Sequence, residues 1–315
     1  MDARLKNAVR SVVPMSLIVP TFNFILRVKS RARGYIVKAN GEFYSIVSGD
    51  REIRLGVRQG VYLKDMLGSF DYYFEGVVPV TVGERQIADY STPRWHDVRG
   101  FDLCPIFFPS LAEPVVTTGQ YSDFAELKAG DVVIDLGAYS GLTSVLFDQA
   151  VAPGGRVIAV EADHQNISAC ERNFALYGKL SGRKIDLIKS AIWKDDKGIS
   201  FSSEGSMGSS AISFVGTGRG KRIEVPSLTL SQLAERQDLD RVDFIKCDIE
   251  GAETEIFDCP EFFAKFSPKI MIECHDVNGL TAPACEKTLG KFGYQCVWIE
   301  QIGSPLPLLG CSPAR

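Results

Sequence analysis

Two short runs alternate ionisable residues with apolar ones in a way that chemistry could use. In Asp243-Phe-Ile-Lys-Cys-Asp-Ile-Glu-Gly-Ala-Glu253, Lys246, Asp248 and Glu250 fall on every second position, and Glu273 and His275 do the same in Ile270-Met-Ile-Glu-Cys-His275. An extended chain puts alternate residues on one face, so adjacent strands would gather carboxylates, an ammonium and an imidazole at one sheet end. Charges inside a buried strand must be paired or serve a site. Such a set could take a proton from a reacting hydroxyl, with His275 as the first choice of base and Asp248 or Glu250 as rivals. It could instead hold Mg²⁺ on Asp248, Glu250 and Glu273. Pairing of Lys246 with Glu273 or Asp248 competes for those acids, so the metal version is not favoured and no metal ligand is assigned. A purely structural ion-pair network is the bland alternative.

A second constellation lies upstream, in Asp131-Val-Val-Ile-Asp-Leu-Gly-Ala-Tyr-Ser-Gly-Leu-Thr-Ser144. The β-branched run around Ile134 suits a parallel strand buried on both faces. Asp135 interrupts it, and a carboxylate there is costly unless something polar meets it. Gly137 and Gly141 flank a turn into a helical pattern, where missing side chains would let a ligand approach Ala138, Tyr139 and Ser140. A dinucleotide fingerprint needs a middle glycine. Here that glycine is absent, and Asp135 would repel a pyrophosphate while suiting the amino group and sulfonium of S-adenosylmethionine. Glu161, followed by Ala162, ends the next predicted strand, where an acid can accept both hydrogen bonds of a ribose diol.

The elements that must position these residues alternate from Gly119 onward. Strands are predicted at Val132–Leu136, Arg156–Glu161, Ile185–Ile188, Val242–Cys247, Lys269–Cys274 and Tyr294–Ile299, with Leu306–Leu309 returning antiparallel. Helical patterns cover Tyr121–Leu127, Ile167–Leu176, a start at Leu228–Leu233, and Cys285–Phe292, the arrangement βαβ crossovers require. Ser200 to Gly220, with seven serines and five glycines, is expected to be a mobile hairpin beside an acceptor pocket. Upstream, Tyr35 to Val47 reads as a hairpin with a type I′ turn at Asn40-Gly41. A strand at Arg51–Val57, one helix over Leu63–Val77, and strands at Gln86–Tyr90 and Val98–Phe108 complete a small mixed α/β region. The predicted domains are therefore 1–115, an accessory region, and 116–315.

Composition narrows the classes. With 45% hydrophobic and 23% charged residues, the 315-residue chain has ordinary globular values. A net charge of −4 argues against a broad nucleic-acid footprint and for small-molecule partners. The uncharged run Ser11–Leu26 follows a basic start, but it is shorter than the roughly 20 residues of a membrane span and contains two prolines. No span is expected. The eight cysteines form no Cys-x-x-Cys pair, so reduced buried thiols in a cytoplasmic protein are expected.

Val132 to Gly141, Val160 to Asp163, the Lys246 to Gly251 run and Ile272-Glu-Cys-His275 together resemble the FkbM family of S-adenosylmethionine-dependent methyltransferases over about Gly119–Glu300. The resemblance implies a Rossmann-like seven-stranded sheet, cofactor at Asp135, Gly137 and Glu161, and methyl transfer commonly to a sugar or polyketide hydroxyl. On this reading Ala138, Tyr139, Ser140, Gly141, Ala162 and Asp248 join the cofactor set, and His275, Asp248, Glu250 and Lys246 form the catalytic set. Ser231 stands where the family tends to have Asp, and serine is expected to cap that helix instead. A homo-oligomer through the N-terminal region is a further expectation. The competing classes are an NAD-dependent oxidoreductase or epimerase, and a non-catalytic partner subunit of the same fold.

Overall fold

The computed structural model describes residues 30–31, 34–203, 210–211, 221–275, 281–304 and 306–314. The Ser11–Leu26 run and most of the expected mobile hairpin, residues 204–209 and 212–220, lie outside the described residues. Two compact units are formed, Met1–Arg94 and Trp95–Arg315.

In the first unit, β1 (Ile36–Ala39), β2 (Phe43–Ser48) and β3 (Arg51–Gly56) are successive antiparallel neighbours. A 3₁₀ turn leads to α1 (Leu63–Gly68) and α2 (Phe70–Phe74), followed by β4 (Val80–Val82) and β5 (Arg85–Tyr90). The sheet order is β1-β2-β3-β5-β4. The hairpin is present, but only Gly41 takes a positive φ and Asn40 does not, so the turn is not type I′. Asn40 instead accepts the amides of Glu42 and Phe43 on its side chain, closing the turn from outside. The helix expected as one piece breaks at Ser69, after a glycine with little helical preference.

β6 (Arg94–Val98) starts on the last residue of the first unit, and with β7 (Phe101–Phe108) it forms a hairpin turning at Gly100, where a single strand is predicted over Val98–Phe108. The predicted strand covers β7 but takes in only Val98 of β6, whose first residues fall outside it. Helix α3 (Val115–Ala125) starts six residues before Tyr121, directly after Pro114, whose missing amide costs nothing at a helix start.

Then come β8 (Val132–Leu136), α4 (Leu142–Ala150), β9 (Arg156–Glu161), α5 (His164–Ser181) and β10 (Asp186–Lys189). Short strands follow as β11 (Ala191–Ile192), β12 (Ile199–Ser203), β13 (Ser210–Ala211), β14 (Lys221–Val225) and β15 (Ser227–Leu228), where β12 pairs antiparallel with β13 and β14. The chain continues through α6 (Leu230–Arg236), β16 (Phe244–Cys247), α7 (Glu253–Ile256), α8 (Pro260–Lys265) and β17 (Lys269–Glu273). It ends with α9 (Thr281–Gly290), β18 (Tyr294–Ile299) and β19 (Leu308–Pro313).

Seven of these strands form one sheet in the order β10-β9-β8-β16-β17-β19-β18. Only β19 runs against its neighbours. The central strands are apolar on both faces and bury Ile134, Ile158, Ile245 and Ile270 with no exposure, as helix-covered parallel strands require.

Two local expectations are corrected. Helix α6 is capped by Thr229, which exchanges hydrogen bonds with Gln232 in a capping box, while Ser231 sits inside the helix beside Cys259. Cys296 and Cys311 face each other across β18 and β19 with their Cα atoms 4.1 Å apart and are disulfide-bonded, against the expectation of eight free thiols. The other six are free and buried.

Candidate active site

The centre of the site is one rung of the sheet. β8 and β16 pair in parallel with Asp135 opposite Lys246. Lys246 Nζ lies 3.3 Å from Asp135 Oδ1 and 3.4 Å from Asp248 Oδ2, and it donates to the Gly137 carbonyl at 2.7 Å. Ser144, from the first turn of α4, donates to Asp135 Oδ2 at 2.5 Å. Asp135 is fully buried, and its Oδ1 receives no aligned hydrogen bond. Burial alone would lower the Lys246 pKa, but Asp135 and Asp248 raise it, so the ammonium keeps its charge. Burial raises the Asp135 pKa while Lys246 and Ser144 restrain the shift. The predicted partner for Lys246 was Glu273 or Asp248. Asp248 is there, and Asp135 joins it from a strand that the alternation within β16 does not reveal.

The glycine loop after β8 is closed upon itself. Gly137 and Ala138 donate to the Val160 carbonyl at 3.0 and 3.1 Å, Tyr139 donates to Glu161 Oε2 at 2.8 Å, and Gly141 donates to the Ala138 carbonyl at 2.7 Å. A methyl group added at Gly137 would stand 1.8 Å from the Asp248 carbonyl oxygen, and one at Gly141 would stand 2.5 Å from the Phe174 ring. Both glycines thus admit neighbouring chain, where open space for a ligand was expected. The Tyr139 hydroxyl donates to the Leu111 carbonyl at 2.8 Å. Asn173 donates to the Ser140 and Phe107 carbonyls and accepts the Phe107 amide, locking this loop to α5 and β7.

Glu161 sits where the second strand ends, as predicted. Its Oε1 accepts the amides of Ala162 and Asp163 and its Oε2 that of Tyr139, each at 2.8 Å. Burial lifts its pKa to about 7 against the pull of those amides. A carboxylate offers about four acceptor positions, so three amides leave one on Oε2. Asp163, not Glu161, caps α5, accepting from Gln165 and Asn166.

The third group forms beyond β16, whose extended run stops at Cys247. Glu250 takes a left-handed φ of 55°, which turns the chain after Asp248. His275 is nevertheless brought to both acids, with Nε2 3.7 Å from Asp248 Oδ1 and 3.4 Å from Glu250 Oε1. Its Nδ1 lies 2.9 Å from Oε1 of the fully buried Glu253, which also accepts the amides of Gly251 and Ile249. Burial would lower the His275 pKa, but Glu250 and Glu253 carry it well above the ordinary value. Glu273 accepts from Gln301 at 3.1 Å and from Tyr121 at 3.4 Å, and burial with Asp248 nearby raises its pKa to about 7. Asp248, Glu273 and His275 each offer a ligand atom within 4.8 Å of the others.

Two participants escaped sequence reasoning. Glu253 was visible as the last acid of the Asp243–Glu253 run, but nothing marked its grip on His275. Glu113, before α3, interacts with Lys246, Asp248, Asp135 and Glu273; burial pushes its pKa to about 8 against the pull of Lys246. Its signal was a lone acid before a proline.

The charges gathered here, rather than open space at the glycines, are what match the chemistry of S-adenosylmethionine. Asp135 Oδ1 has no hydrogen bond beyond its 3.3 Å ion pair with Lys246 and carries the charge that a cationic amino group would need, and the remaining Glu161 acceptor position has the chemistry that a ribose hydroxyl would need. A pyrophosphate fits poorly, because it needs free loop amides and four of them are already engaged.

Residues 135–296, 162 of the 315, match the methyltransferase FkbM domain. Among solved structures, an FkbM methyltransferase from Methylobacillus flagellatus KT is 16% identical, with a TM-score of 0.43 over 61% of this chain and 50% of that one. Precorrin-6y C5,15-methyltransferase from Geobacter metallireducens GS-15 is 18% identical with a TM-score of 0.38, covering 63% of this chain and 87% of that one. An O-methyltransferase from Bacillus cereus is 10% identical with a TM-score of 0.40, covering 64% and 82%. No curated protein matches the chain in sequence.

Proposed function

The chain belongs to the FkbM family of S-adenosylmethionine-dependent methyltransferases, and from that premise we propose that it methylates a hydroxyl oxygen of a small acceptor, a sugar, polyketide or related metabolite. The observation that carries this reading is the His275 imidazole, gripped by Glu253 on one side and facing Asp248 and Glu250 on the other. Oxygen acceptors need such a proton-handling wall, because a hydroxyl must lose its proton as it attacks.

S-adenosylmethionine, when bound, supplies a methyl group on an already activated sulfonium. The chain's own work is then to bind, orient and move one proton. Asp135, Lys246 and Glu161 hold the cofactor's polar groups, with Gly137 to Gly141 and Ala162 fixing the backbone around them. The raised His275 pKa makes the imidazolium the main form near neutral pH. It therefore orients the acceptor oxygen through a hydrogen bond, while Asp248 or Glu250 takes the hydroxyl proton. The oxygen lone pair forms the new bond to carbon as that proton leaves. Positioning of this kind supplies roughly 7–11 kcal/mol in favourable cases.

The test has two parts. Incubation of the protein and cofactor with a metabolite extract should add the mass of one methyl group to an acceptor. Asp135→Asn, which keeps shape and removes charge, should weaken S-adenosylmethionine binding. Tighter NAD binding in that variant would favour the oxidoreductase, and full-strength cofactor binding without turnover on any acceptor would favour a non-catalytic subunit.

A Mg²⁺-assisted version has one observation behind it, the proximity of Asp248, Glu273 and His275. Lys246 and the imidazolium already bring positive charge to Asp248, which makes it the lesser reading. Activity abolished by a chelator and restored by Mg²⁺ would promote it. Among the described residues no helix is long and apolar enough to cross a membrane. A cytoplasmic location, an accessory role for residues 1–115 and self-association through them complete the proposal, the last to be tested by sedimentation of the full chain.

A further inference from the structure

The first unit carries a pocket of about 460 Å³ whose lining includes Lys38, Phe43, Ser45, Glu52, Arg54 and Arg85. Strand register assembles it. Lys38 pairs with Ser45 and Ser45 with Arg54, so the three stand in one row across β1, β2 and β3, and Glu52 lies two residues from Arg54 on the same face. β5 contributes Arg85 from its first position.

Glu52 is 4% exposed and is the fixed point of the pocket. Its Oε1 accepts from Ser45 Oγ and Arg54 Nε, both at 2.8 Å, and its Oε2 accepts from Arg85 Nη1 at 3.2 Å. Burial would raise its pKa, but these donors outweigh burial and lower it, so the carboxylate stays charged. It holds two guanidiniums by one N–H each, out of the five each possesses. Arg54 also lies over the Phe43 ring, 5.1 Å from its centroid, which fixes the guanidinium plane. Three cations and one carboxylate leave the lining two positive charges in excess, because Asp89, opposite Arg54 on β5, lies outside the lining and is paired with Arg94 at 2.6 Å. A structural ion pair has no need of that excess, whereas a dianion does.

We propose that this pocket binds a phosphate monoester, its oxygens taken by Arg54, Arg85 and Lys38 and its organic body lying along Phe43 and Ala39. Guanidinium forks match phosphate oxygens two at a time, and a phosphate ester carries about −1.5 to −2 charges near neutral pH. A carboxylate would satisfy only half of the excess. The volume is that of an ordinary small-ligand site.

The experiment is calorimetric titration of the full chain with phenyl phosphate and, in parallel, benzoate. Phenyl phosphate should bind saturably, with benzoate about tenfold weaker or worse. Arg54→Met and Arg85→Met should each weaken phenyl phosphate by about tenfold, the loss expected for a charge-assisted hydrogen bond. Because both variants also remove a partner of buried Glu52, Lys38→Met is the companion that leaves Glu52 untouched, and it should lose affinity with an unchanged melting temperature. Lys64→Met, exposed in the same unit and outside the pocket, should bind as the wild type does. Absence of saturable binding, equal affinity for benzoate, undiminished binding by Lys38→Met, or an equal loss in Lys64→Met would each overturn the proposal.

Discussion

Asp135 and Lys246 share a rung of adjacent parallel strands, and their charges meet 3.3 Å apart with almost no access to solvent. Breaking a buried pair from one side leaves the other charge uncompensated. Lys246→Met is therefore expected to destabilise the fold by about 3–5 kcal/mol, and the double variant with Asp135→Asn by clearly less than the sum of the singles. Urea unfolding of the four proteins measures the coupling. Additive losses would mean that the two charges do not depend on each other.

Glu113 makes stability depend on pH. Its folded pKa, about 8, exceeds the model-compound value of 4.5. The folded state thus binds the proton more tightly, and this contribution is fully present below about pH 4.5 and is lost as pH rises towards about 8. Glu113→Gln should flatten that fall by on the order of 1–3 kcal/mol. Melting temperatures across the window would show the same slope in both proteins if Glu113 were freely solvated.

Glu161→Ala should weaken binding of S-adenosylmethionine by on the order of 1–3 kcal/mol. The same variant releases the amides of Tyr139, Ala162 and Asp163, so it should also lower the melting temperature. An affinity unchanged in a folded variant would remove the ribose assignment.

His275→Ala should leave cofactor affinity nearly intact and slow the chemical step by about 10², the cost of a misplaced acceptor oxygen. Glu253→Gln serves as its positioning counterpart. Glu253 raises the His275 pKa, so its removal should move the His275 ionisation in single-turnover rates to lower pH. A rate loss with an unmoved profile would make Glu253 a merely structural residue.

Thiol titration of the denatured chain should find six free cysteines before reduction and eight after it, because Cys296 and Cys311 are bonded. Eight reactive thiols without reductant would place the chain in its dithiol form.

Much of this architecture could be read from the residues. Strands with unbroken β-branched runs, such as Val132–Leu136, declared themselves because burial on both faces leaves little choice of composition. Boundaries set by single residues were harder. Ser69 splits a helix whose apolar stripe continues across the break, and Gly100 turns the chain between β6 and β7 inside the predicted Val98–Phe108 strand. Within the site, Lys246, Asp248, Glu250 and His275 are singled out by two-residue spacing, but the strands end at Cys247 and Glu273, so Asp248, Glu250 and His275 meet through the turns beyond them and not on one strand face. Asp135 opposite Lys246 required knowledge of register. The Glu253–His275 contact required a left-handed turn at Glu250, which no periodicity encodes. Glu113 reaches the site from a loop before α3, and its partners stand on four other segments.

The contact between Gly137 and the Asp248 carbonyl has a mechanical consequence. On the proposed reading, the turn after the cofactor acid Asp135 and the turn that carries the acceptor-side acids meet main chain to main chain, with the Asp248 carbonyl nearer than any side chain. With these roles, the span from donor to acceptor is set by backbone contact, and a shift of one turn has to be met by the other. Adaptation to a larger or smaller acceptor then has to come from the walls around this contact, and a bulkier residue at position 137 would jam the donor side and the acceptor side at once.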